Sequence, residues 1–126
     1  MQMFKPGHEY TRAEIHEALG GSRVSCLPTR NGTIVVACLS KDFSPQAPEV
    51  VLCGQGVRTG PVSEQFSRHP GALPVFVKRE SNRWQYRGQF IVTDSFSSGP
   101  RFDSHIAGSG RSPVSVSQVV LLRQVD

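Results

Sequence analysis

An α+β domain with a curled, barrel-like sheet is the fold class the sequence predicts. Two observations carry it: one capped amphipathic helix lies near the start of the chain, and at least four β-patterned runs follow it at irregular spacing. In "YTRAEIHEALGG", Thr11 followed three residues later by Glu14 is a capping box, Ile15, Ala18 and Leu19 share a face, and Gly20 and Gly21 supply the stop. The helix spans roughly 12–19. Two turns with one apolar stripe cannot stand alone, so the helix must pack on the sheet.

The first β run is "GTIVVACLS" at 32–40, rich in β-branched residues and entered through an Asn31–Gly32 turn, and "EVVLCG" at 49–54 is the second. "LPVFVKR" at 73–79 and "RWQYRGQFIVTD" at 83–94 form a hairpin around the polar turn Glu80–Ser81–Asn82. The final run, "VSQVVLLRQVD" at 116–126, reads as a strand or a short helix after a Ser cap, with the balance toward strand or mixed. Between the last two runs, residues 95–117 are rich in Ser and Gly and bury little apolar surface, which predicts a long mobile loop. Residues 1–126 are read as a single domain, a length sufficient for one core without disulfide or metal.

Composition narrows the function classes. No apolar run approaches a bilayer span, and "MQMFKPGHEY" lacks a signal-peptide pattern, so no membrane role is expected and the cytoplasm is the expected compartment. Cys26, Cys38 and Cys53 are odd in number and widely spaced, which argues for free thiols and against a zinc site; Cys38 is expected to be a small buried apolar side chain. The formal charge of +4 has a local origin. Residues 68–111 hold seven basic side chains (Arg68, Lys78, Arg79, Arg83, Arg87, Arg101, Arg111) against three acidic ones, while residues 1–67 are balanced. Arg accounts for eleven of the fourteen basic residues, and its planar fork suits phosphate and base-edge contacts. An anionic partner is therefore expected.

Catalytic patterns are poor. "GSG" at 108–110 lacks the nucleophile-elbow spacing, no phosphate-binding GK[ST] loop occurs, and the Asp residues are scattered. His8 and His16 flank or sit in the capped helix and His69 and His105 lie in loop-like stretches, all expected as surface or capping residues. No cofactor, metal or catalytic residue is assigned, and the balance is against an enzyme. Binding patterns are better. Strand alternation in "RWQYRGQFIVT" puts Trp84, Tyr86, Gly88, Phe90 and Val92 on one side, with Trp84 the member expected to be partly exposed and able to stack a flipped or single-stranded base. In "VLCGQGVRTGP", Gly54 and Gly56 would let a ligand approach the backbone and leave Gln55 to read a base edge, with Arg58 beside it.

The order of "YTRAEI", "VVLCGQGVRTG" and "PVFVKRESNRWQYRGQFIV" resembles the SRA-like and EVE-like branch of the PUA superfamily, in particular small domains found beside HNH nucleases or helicases in bacterial restriction and defence proteins. The resemblance covers about residues 4–94. It implies a PUA-like twisted five- to six-stranded β-barrel with one short N-terminal helix that binds nucleic acid, DNA ahead of RNA, often at a modified or extruded base. Carried onto this sequence, it points to Tyr10, Arg12, Gln55, Lys78, Arg79 and Trp84, which with Arg58, Arg83 and Arg87 make the expected nucleic-acid-binding set. Leu52–Cys53 departs from it, since those domains more often carry an aromatic there. Two alternatives compete: an adaptor domain of a restriction or defence system docking a nuclease or helicase partner, and a small enzyme acting on a nucleotide with 95–117 as its lid.

Overall fold

The computed structural model describes residues 4–23, 25–54 and 59–125. The class is α+β: a mixed sheet, a separate two-stranded ladder and three helices. Helix α1, Arg12–Leu19, occupies the expected span with its capping box intact: Thr11 Oγ1 accepts from the Glu14 N–H at 3.2 Å and Glu14 Oε1 accepts from the Thr11 N–H at 2.8 Å. Gly20 closes the helix at φ 83°, donating its N–H to the His16 carbonyl at 2.9 Å. Ile15 is fully buried, and Ala18 and Leu19 pack beside it.

The predicted strand at 32–40 is two strands in different sheets. β2 (Thr29–Arg30) and β3 (Thr33–Ile34) form a hairpin through Asn31 and Gly32, both at positive φ, and the chain then crosses into β4 (Ala37–Leu39). The main sheet runs β4-β6-β7-β8-β5, where β5 is Val50–Gly54, β6 Leu73–Glu80, β7 Arg83–Phe96 and β8 Val116–Gln124. β4 pairs with β6 in parallel; the other ladders are antiparallel, and short β1 (Glu9–Tyr10) adds to β7. The hairpin and the strand character of the last run agree with the sequence.

A β-bulge overturns the single apolar face expected on β7. The register slips between the Val75–Gly88 and Phe76–Tyr86 pairs, so Arg87 is the extra residue, and Gly88 takes up the bend at φ 118°. One inserted residue reverses which way every later side chain points. Phe90 therefore joins Leu73, Val75 and Val77 in an inner cluster with Leu39, Val51, Val120 and Leu122, whereas Trp84 and Tyr86 join Phe76 on the opposite face with Phe4, Ile15 and Val36.

Two helices absent from the sequence reading complete the layers. α2 (Thr59–Ser67) places Phe66, fully buried, and Val62 against the inner cluster, and α3 (Pro100–Ile106) places Phe102 and Ile106 against Leu52, Val116 and Val119. Residues 95–117 are thus not one long loop: they hold the end of β7, α3, a 3-10 turn at Pro113–Ser115 and the start of β8. Each helix has its one-face spacing, Val62 with Phe66 and Phe102 with Ile106, masked by a Gly- or Ser-rich context.

The sheet curls without closing. Edge strands β4 and β5 both bury side chains in the inner cluster, Ala37 and Leu39 from one and Val51 and Cys53 from the other, but no ladder joins them. A closed five- to six-stranded barrel with one helix is accordingly replaced by an open curled sheet with three. Among the described residues no helix is long and apolar enough to cross a membrane.

Candidate functional site

The seam between β4 and β5 is a cavity of about 890 Å³. Its floor is apolar, with Leu39 from β4, Val51 and Leu52 from β5, Leu27, and Val62 from α2. All three cysteines line it. Burial pushes the Cys38 and Cys53 thiols up to about 12, so at neutral pH both remain protonated and serve as soft apolar wall, whereas Cys26 is exposed. Among the described residues no group of three His, Cys, Asp or Glu is placed to hold a metal ion.

The charged part of the wall is mainly cationic, among neutral serines and Asn82. Arg12, Arg23, Lys78 and Arg111 line the cavity against one carboxylate, Asp42, and among the described residues the ion pairs are Glu64–Arg68 and Asp94–Arg101, neither of which touches it. Four cations that form no ion pair among the described residues, beside an apolar floor, create positive potential in a partly dehydrated space.

Two of these arginines are held rigidly. Arg111 donates from Nη1 to the Phe43 carbonyl at 2.9 Å and from Nη2 to the Ser115 carbonyl at 3.1 Å, joining the 40–47 loop to the start of β8. Phe43, 63% exposed, stands at the rim 5.7 Å from that guanidinium. Arg12 donates from Nη2 to the Ser22 and Ser25 carbonyls at 3.0 and 2.7 Å and from Nε to His16 Nε2 at 2.8 Å. Its guanidinium carbon lies 5.0 Å from the centroid of Trp84, with Lys78 Nζ at 5.9 Å over the same ring.

Trp84 is more buried than its position at the strand start suggests, at 9% exposure, and what remains open faces the cavity. Tyr86 beneath it is fully buried, and Tyr10 is half-buried, edge-on to Phe4 and Phe76, with its hydroxyl accepting from the Lys5 N–H at 2.9 Å. Tyr10 is thus a packing residue of the second cluster. Lys78, Arg79 and Arg83 are exposed at the hairpin tip, where Lys78 and Asn82 reach the cavity mouth; Arg87, half-buried at the bulge, does not line it. Gln55 and Arg58 lie outside the described residues.

His16 departs from its expected surface role. It is buried at the end of α1, and since Arg12 Nε can only donate, His16 Nε2 must accept and Nδ1 carries the proton, donated to the Gly20 carbonyl at 2.7 Å. Burial lowers its pKa, the Gly20 carbonyl opposes this, and the charges of Arg12 and Arg23 lower it further.

Residues 9–100 match a domain of unknown function (DUF6697). The chain belongs to that family. No curated protein and no solved structure matches it. The matched part of this DUF6697 domain includes Arg12, Lys78, Trp84 and the cysteines, while Arg111 and Ser115 lie beyond it on the segment that completes the sheet. Arg23, Phe43, Asn82, Arg111 and the cysteines line the cavity without any sequence signal for it. They come from separate segments, and no local spacing signals their convergence.

Proposed function

We propose that this DUF6697 domain is a nucleic-acid-binding module, DNA ahead of RNA, that receives an extruded or single-stranded nucleotide in the cavity beside Trp84. The observation that carries the reading is the pairing of an apolar floor with four cationic side chains that face one carboxylate, Asp42, and form no ion pair among the described residues. A base needs the first and its phosphate the second. The volume of about 890 Å³ accommodates a base with its sugar and phosphate. Lys78 at the mouth, with the exposed Arg79 and Arg83 farther out on the same hairpin tip and not lining the cavity, would track the flanking backbone, with Arg12 and Trp84 inside. In this reading the sheet is a PUA-like barrel left open at one seam, and the seam is the ligand pocket. A nuclease or helicase partner and a role in bacterial defence belong to the same proposal.

Trp84 is the single Trp of the chain, so its fluorescence reports on the site directly. Single-stranded oligonucleotide at low salt is expected to quench it saturably, and Lys78→Ala to weaken that quenching about three- to tenfold. Saturable binding that leaves the indole signal unchanged would move the interface away from the cavity; no binding at all would remove the reading.

A further inference from the structure

We propose that His16 is a positioning residue that holds the Arg12 guanidinium over Trp84 only while its Nε2 is unprotonated, making the wall of the cavity a proton-controlled gate. The geometry carries this. The Arg12 guanidinium donates three hydrogen bonds, and they do different work: the two from Nη2 to the Ser22 and Ser25 carbonyls anchor the tip, while the one from Nε to His16 fixes the rotation of the guanidinium plane. The 5.0 Å approach to the indole depends on that rotation.

A proton on Nε2 removes the acceptor. It also sets an imidazolium 2.8 Å from a guanidinium in a buried setting, with Nδ1 still committed to Gly20. Among the described residues the charges that act on His16 are Arg12 from its own helix and Arg23 from the following loop, both cationic, so neither offsets the new charge. Arg12 can relieve the repulsion by turning about its anchored tip, away from the ring. Lys78 then remains as the cation over Trp84. The switch itself concerns the ligand-free protein; only its meaning as regulation rests on the binding function proposed above.

The test uses the complete chain without nucleic acid. Acrylamide quenching of Trp84 is measured between about pH 7.5 and about pH 5, in the natural protein and in His16→Gln, whose amide oxygen accepts from Arg12 at every pH. The quenching constant is expected to rise on the order of twofold on acidification in the natural protein and to stay flat in His16→Gln. An unchanged constant in the natural protein, or the same rise in both, overturns the proposal. Should His16→Gln not fold, the imidazole nitrogen resonances of the natural protein decide: the proton is expected on Nδ1 at neutral pH, with the indole signal shifting in step with His16 titration. A proton on Nε2, or an indole signal indifferent to that titration, overturns it. Because no ligand is present, failure of nucleic-acid binding leaves this result interpretable, and the reverse also holds.

Discussion

Tyr86 and Phe43 mark two kinds of aromatic residue in this chain. Tyr86 is fully enclosed, with Phe4 and Phe76 centroids at 5.7 and 5.1 Å, and Tyr86→Ala is expected to destabilise the fold by about 3–5 kcal/mol in urea unfolding. Phe43 is mostly exposed, and Phe43→Ala should change stability by less than about 0.5 kcal/mol while altering ligand binding at the rim. Titration gives a second residue-scale expectation. His16 and His69 both have pKa values lowered from 6.5, in each case first by burial, so below that pH the unfolded chain takes up protons that the native state refuses. Stability should therefore be fully present above 6.5 and fall as the pH drops below it. The pH dependence of the urea midpoint checks this, and replacing both histidines by Gln should flatten that window.

Elements were legible where a local rule fixed them. The capping box and paired glycines of α1 predict its two ends, and the Glu80–Asn82 turn predicts the β6–β7 hairpin, because the necessary physics lies within a few residues. The direction of β7 side chains was not legible. It depends on a bulge at Arg87, which no alternation count reveals, and the one trace of it is Gly88 in mid-strand. Gly88→Ala places a side chain at φ 118° and is expected to cost about 1–3 kcal/mol by chemical unfolding, since the bend it allows separates the Trp84 face from the Phe90 face. Helices α2 and α3 are not legible because each is short and carries a single apolar pair in a segment rich in Ser and Gly.

For the whole molecule, the placement of charge matters more than its total. The sequence located a basic excess in residues 68–111, but the cavity draws Arg12 and Arg23 from outside that stretch, whereas Arg68 and Arg101 within it are spent on exposed ion pairs with Glu64 and Asp94. Linear charge counting cannot see this, because the curl of the sheet brings β4 and β5 to one seam and with them the loops that carry Arg23 and Arg111. Trp84, expected to be partly exposed, is instead buried, with Arg12 and Lys78 over its ring beside the cavity. The most direct measurement of the central claim is the salt dependence of oligonucleotide affinity, DNA and RNA, single- and double-stranded, for the natural protein and for Arg79→Glu/Arg83→Glu. The account predicts binding at low salt whose log affinity falls linearly with log salt, and a weaker, shallower dependence in the charge-reversed protein. Absence of any complex at low salt, or an affinity indifferent to both salt and charge reversal, would contradict it.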